Sequence, residues 1–178
     1  MTYRVDIVTL LLLFVSLQRT CLAVIDIKFE DVNVEYVNGE YIDEDSFDIS
    51  VNYINDTYNT LRCKAKVLKD FPDKLAVSFK MFGYASGDYK LPMGINVEVS
   101  SCDLKTKPIF IAPFIEAIGG DFKKCSPTKG EYKNESFYPV NLAILPNIFP
   151  ENKYRMDVEV KSSDLVIVQA QFYIDITQ

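Results

Sequence analysis

An antiparallel β-sandwich is the fold class this sequence predicts, and three observations predict it. Apolar and polar residues alternate with period two in run after run, which gives each strand one apolar face. The runs are short and end at polar or proline-containing breaks. No long amphipathic helical pattern intervenes between them, as the crossovers of a parallel sheet would require. The chain has 178 residues, 48% hydrophobic and 25% charged, which suits one proper core and is short for two domains.

The first element is a targeting segment. Arg4 supplies a positive start, residues 8–15 (V-T-L-L-L-L-F-V) form the apolar stretch, and Cys21-Leu22-Ala23 offers small residues for cleavage after Ala23. The stretch is short for a bilayer span, and a retained anchor is the competing reading. Residues 1–23 are therefore expected to be a signal peptide, and residues 24–178 one secreted, extracellular domain. Removing Arg4, Arg19 and Asp6 with the signal moves the net charge from -6 to -7.

The strands follow in order. Ile25, Ile27 and Phe29 alternate with Asp26, Lys28 and Glu30, after which Val32, Val34 and Tyr36 resume with the phase shifted, so a bulge is expected near Asp31. Phe47, Ile49, Val51 and Tyr53 share one face of the next run, and Leu61, Cys63, Ala65 and Val67 one face of the run after it. Leu75, Val77, Phe79 and Met81 come next, beyond the turn signal Asp70-Phe71-Pro72-Asp73, and these last two runs read as a hairpin. Ile95, Val97 and Val99 form a further strand, as do Met156, Val158 and Val160. The last run, residues 165–176, is apolar on both faces, as a strand in the middle of two packed layers would be.

One segment breaks the pattern. Residues 108–120 (P-I-F-I-A-P-F-I-E-A-I-G-G) place Phe110, Phe114 and Ile118 at helical spacing with Ile111 and Ile115 beside them, and Gly119-Gly120 supplies a stop. It reads as a short helix or apolar loop, either packing on the core or walling a cavity. Cys102 and Cys125 bracket it. Cys21 leaves with the signal, so the mature chain has Cys63, Cys102 and Cys125, an odd count in an oxidising compartment. Cys102 and Cys125 are expected to form the intrachain disulfide, because both lie at strand or loop edges while Cys63 sits mid-strand on an inward face.

Composition narrows the chemistry. The chain has no His and no Trp, which excludes Ser/His/Asp and Cys/His catalysis and the common His-containing zinc sites. Its acidic balance argues against nucleic acid as a partner. No pair of acids sits in an apolar setting that would raise one carboxyl pKa, so a two-carboxylate glycosidase is disfavoured and no enzyme is expected. The Asp43-Glu44-Asp45 run lacks the spaced oxygens and turn glycine of a calcium loop and reads as a solvated turn. No metal or cofactor is expected. Asn55-Asp56-Thr57 and Asn134-Glu135-Ser136 are N-glycosylation sequons, each read as part of a polar connection.

The second half carries a family resemblance. Ser101-Cys102-Asp103-Leu104, Lys124-Cys125-Ser126-Pro127 with Gly130 and Tyr132, then Leu145-Pro146, Phe149-Pro150 and Tyr154-Arg155 together resemble an insect family of secreted MD-2-related lipid-recognition (ML-like) proteins. That family includes the CheB-type chemosensory proteins, which are similar to the ganglioside activator protein. The resemblance covers roughly residues 75–178. This sequence departs from the pattern at Ser126, where a Cys-Pro pair is typical, and in lacking cysteines in the first two strands. Joint loss of a bonded pair is coherent and would leave Cys63 as the odd thiol.

The resemblance implies an immunoglobulin-like β-sandwich or β-cup whose sheets part to admit a lipid tail or another apolar molecule. The expected function is that of a non-enzymatic carrier or receptor accessory, with a lipid or pheromone-like hydrophobic molecule as partner and a membrane receptor as a further one. The candidate wall residues are Phe110, Phe114, Ile115 and Ile118, with Phe79, Met81, Val97, Val158 and Phe172 as inward strand positions able to face the ligand. An extracellular adhesion or co-receptor module would share the strands and glycans, and would be told apart by an exposed apolar patch in place of an enclosed pocket.

Overall fold

The structure, a computed structural model, describes residues 26–54, 59–103, 125–137 and 150–177. Residues 1–23, the sequon residue Asn55 and the apolar segment with Phe110, Phe114, Ile115 and Ile118 lie outside the described residues. Eight strands occupy the described part: β1 (Asp26–Val37), β2 (Asp48–Tyr53), β3 (Asn59–Val67), β4 (Ala76–Ala85), β5 (Asp88–Ser100), β6 (Gly130–Phe137), β7 (Asn152–Ser162) and β8 (Leu165–Thr177). The acidic run contributes a single 3₁₀ turn, Glu44–Ser46, before β2. Among the described residues no helix is long and apolar enough to cross a membrane.

The strands form two antiparallel sheets, one of five strands in the order β1-β8-β7-β4-β5 and one of three in the order β2-β3-β6. Their apolar faces meet, which is the all-β sandwich expected from the alternation. The phase slip of β1 appears where it was read: the register against β8 shifts between Phe29 and Asp31, and again between Val34 and Tyr36. The inserted residue brings Val32 onto the core face already occupied by Ile27 and Phe29.

Three expectations need correction. The runs of β3 and β4 are not a hairpin, since β3 pairs with β2 and β6 while β4 pairs with β5 and β7. The connection between them crosses from one sheet to the other, because Phe71 and Leu75 are buried with Val67, Ile42 and Ile167 and fill the end of the sandwich. The hairpin partner of β4 is β5, joined through Ser86 and Gly87. Both of these residues have positive φ (52° and 86°), the conformation that a tight two-residue connection needs. The second correction concerns β8, which lies centrally within its sheet but buries one face; Gln169, Gln171, Tyr173 and Asp175 on the other are only half-buried. The third is Asn134, which lies within β6, opposite Cys63, and not in a connection.

The two layers are tied along one side. The Phe29 N–H donates to Asn59 Oδ1 at 3.0 Å, and Asn59 Nδ2 donates back to the Phe29 carbonyl. The Tyr53 hydroxyl donates to the Glu30 carbonyl at 2.7 Å. Asn59 is almost wholly buried, so its amide has to find such partners within the protein. Near this side the core is closely filled by Phe29, Leu61, Tyr154 and Ile176. Tyr154 leans over Gly83, where a β-carbon would stand 3.5 Å from its ring.

Candidate ligand cavity between the sheets

Away from that seam a partly open cavity of about 150 Å³ lies between the layers. Its floor is the inner face of β4, β7 and β8, including Phe79, Val158, Ala170 and Phe172, and its roof is the inner face of β3, including Leu61, Cys63 and Ala65. Small residues border the space on both layers. Cys63 and Ala65 occupy successive inward positions of β3, and Ala170 takes an inward position of β8. None of these can reach across a layer separation that larger residues set elsewhere, so room is left that close packing would otherwise fill.

One end of the cavity is closed by connections. Phe71, Leu75, Pro127 and Ser101 form this end, and hydrogen bonds hold the two loops together. The Phe71 N–H donates to the Pro127 carbonyl at 3.0 Å, the Ser126 hydroxyl to the Pro72 carbonyl at 2.7 Å, and the Lys129 N–H to Asp70 Oδ1 at 2.7 Å. Ser126, the position at which the sequence departs from its resemblance, is buried in this role. The Cys102–Cys125 disulfide forms as expected, with Cα atoms 4.5 Å apart, and anchors the start of the Pro127 loop to the end of β5.

The wall is almost entirely hydrocarbon. The Tyr132 hydroxyl is fully engaged with Thr128, accepting from its N–H at 3.0 Å and donating to its carbonyl at 2.7 Å, so this tyrosine presents its ring. Lys64 contributes to the wall from β3 but is exposed, in the outward phase it shares with Arg62 and Lys66. No carboxylate lines the cavity among the described residues. Cys63 is a free, buried thiol whose pKa is pushed up to about 12, first by burial and then by the negative charge of Asp48. A thiol in that state is a small protonated hydrophobe and a poor nucleophile.

The structure brings three of the five inward candidates to the cavity: Phe79, Val158 and Phe172. Met81 is buried but lies one inward step further along β4, opposite Met156, in the closely filled part of the core. Val97 pairs with Phe79 from the edge strand β5 and packs against the core from outside the cavity. Sequence reasoning overlooked Cys63, Ala65, Ala170 and Ser101 as wall residues. The signal available for the first three was small side chains at inward phase.

No family model matches the sequence, and no curated protein matches it. Among solved structures the chain is similar to chicken MD-1, in a crystal structure of its complex with lipid IVa. The two share 11% sequence identity over 86% of this chain and 91% of that one, with a TM-score of 0.36.

Proposed function

We propose that this protein is a secreted, non-enzymatic binding protein that carries or presents a hydrophobic ligand, a lipid or pheromone-like molecule, in a chemosensory setting. The apolar cavity between the sheets carries the reading. An apolar cavity of about 150 Å³ lined by aliphatic and aromatic side chains suits a benzene-sized apolar molecule, because the bound molecule recovers dispersion contacts the wall lacks. The occupant is therefore one compact apolar group or a short hydrocarbon segment; a longer lipid tail requires the layers to part further. The resemblance of residues 75–178 to ML-like proteins supports the same reading, and the disulfide fits an oxidising compartment. The cavity favours a carrier over an adhesion module, whose contact surface would be external. Among the described residues the large exposed apolar side chains are divided between the sheets, with Tyr53 on β2 and Tyr84 and Leu91 on β4 and β5.

Expression in eukaryotic cells tests the proposal. The medium should contain protein beginning at Val24, and mass spectrometry of the native protein should show a co-purifying apolar molecule that organic extraction releases. Secreted protein that holds nothing extractable and takes up no apolar probe would overturn it.

A further inference from the structure

We propose that the outer border of β6 is a self-association surface: two copies of this chain pair β6 with β6, antiparallel about Tyr132, and join their three-stranded sheets into one continuous sheet. The inference is independent of what the cavity holds.

β6 pairs with β3 on one side, and among the described residues no strand pairs with its other side. Such a border presents backbone donors and acceptors to any strand that matches it. Among the described residues only one backbone group of β6 is taken by a side chain, the Ser136 N–H, which donates to Asn134 Oδ1 at 3.1 Å near the far end of the strand. β2, the opposite border of the same sheet, is instead tied to β1 through Tyr53.

The sequence of β6 selects the matching strand. Tyr132 lines the cavity, so Glu131, Lys133 and Glu135 point to the outer face, where all are exposed, and the exposed Lys129 just before the strand continues the phase. Along this face the charges run Lys, Glu, Lys, Glu. An antiparallel copy with Tyr132 opposite Tyr132 sets Lys129 against Glu135 and Glu131 against Lys133, and two-fold symmetry repeats both pairs. Other registers lose this match. Centred on Glu131 or Lys133, the copy sets like charges together; centred on Gly130 it leaves Lys133 opposite Pro127, and centred on Asn134 it leaves Glu131 opposite Phe137. Within its own sheet Lys133 stands opposite Lys64, a like-charge pair that Glu131 of the second copy relieves from the other side. Its present partner, Glu135 on the same strand, is an exposed surface pair that contributes little. The contact is one strand a side, which puts the dimer in the weak, concentration-dependent class. It also sets the two Tyr132 side chains next to each other, each on its own cavity wall, so that the two cavities adjoin at the dimer axis.

The test uses the full chain with Ser136→Ala, which silences the sequon at Asn134 so that no sugar lies on the strand. Sedimentation equilibrium over a concentration series should show a monomer–dimer equilibrium that weakens as salt is added. Lys133→Glu and Glu131→Lys should each weaken the dimer by at least roughly tenfold, because each turns two attractive cross-strand pairs into repulsive ones. The double variant Glu131→Lys with Lys133→Glu keeps the net charge, re-forms every pair with its polarity exchanged, and should restore the dimer. All of these side chains are exposed, so the urea midpoint measured at a concentration where each protein is monomeric should be shared by the four proteins. A monomer at every concentration up to about 1 mM would overturn the proposal. A dimer indifferent to both single variants would place the contact elsewhere and overturn it equally, and a double variant that stays monomeric would overturn the register about Tyr132.

Discussion

Filling the cavity from its own wall should stabilise the empty protein and abolish binding. Ala170 lies on β8, between β1 and β7, is 3% exposed and lines the cavity, with Val158 beside it on β7. Ala170→Leu adds three carbon atoms that point into the void. At about 0.8 kcal/mol per buried methylene this contributes about 2.4 kcal/mol. The restriction of the new side chain costs about 0.5–1 kcal/mol, which leaves a net gain of about 1.5 kcal/mol. For a domain of this size that corresponds to a Tm increase of about 3–6 °C. Thermal unfolding of the delipidated protein with and without toluene measures both effects. Wild type should gain about 1.4 kcal/mol at a toluene concentration ten times its Kd, and the variant should not respond. Ordinary close-packed core would behave in the opposite way, because inserted methylenes there cost about 1–3 kcal/mol. A variant that is destabilised by more than about 1 kcal/mol and still responds to toluene would refute the reasoning.

Three further outcomes follow from the same geometry. Asn59→Ala should cost about 3 kcal/mol in urea unfolding, since it removes an amide bonded to both backbone groups of Phe29 in a buried seam. Because the Cys63 pKa is raised in the folded state, its contribution to stability is complete below the ordinary thiol pKa near 9 and is lost as the pH climbs toward about 12. Alkaline unfolding of Cys63→Ala should accordingly be shallower than that of wild type over that window, and wild-type Cys63 should resist iodoacetamide at pH 8 until denaturant is added. Replacing Cys102 and Cys125 together by Ser should lower stability by about 3 kcal/mol, the loop-closure value for their separation of 23 residues, read as a lower urea midpoint.

The period-two pattern made the strands legible because burial on one face selects side chains one position at a time. Phe79, Val158 and Phe172 could be placed on inward faces for that reason. Pairing was less legible. The polar turn after Val67 has the composition of a hairpin, yet Phe71 and Leu75 within the connection gain more by closing the end of the sandwich than a tight turn would allow. Strand β6 escaped notice because it edges its sheet, and Glu131, Lys133 and Glu135 are exposed around the single inward aromatic, Tyr132. The cavity itself is space that side chains leave unfilled, so its trace in the sequence is an undersized residue at an inward position. Ala65 and Ala170 read as unremarkable until the layer separation is known.

The seam along β1 has a consequence for how the protein behaves among copies of itself. β1 is an outermost strand of the five-stranded sheet, and an outermost strand offers unpaired N–H and C=O groups on which another chain can add. The Asn59 amide carries the same donor and acceptor as a peptide unit, and it occupies those groups of Phe29; the Tyr53 hydroxyl occupies the Glu30 carbonyl. The opposite border, β5, is guarded by different means: Pro92 lacks a donor, Gly94 at a φ of 71° interrupts the extended run, and Lys90 adds an exposed charge. A substitution at Asn59 thus has two separable results, a weaker sandwich and a border open to strand addition, and the second should show as chain-to-chain association even when bound ligand offsets the first.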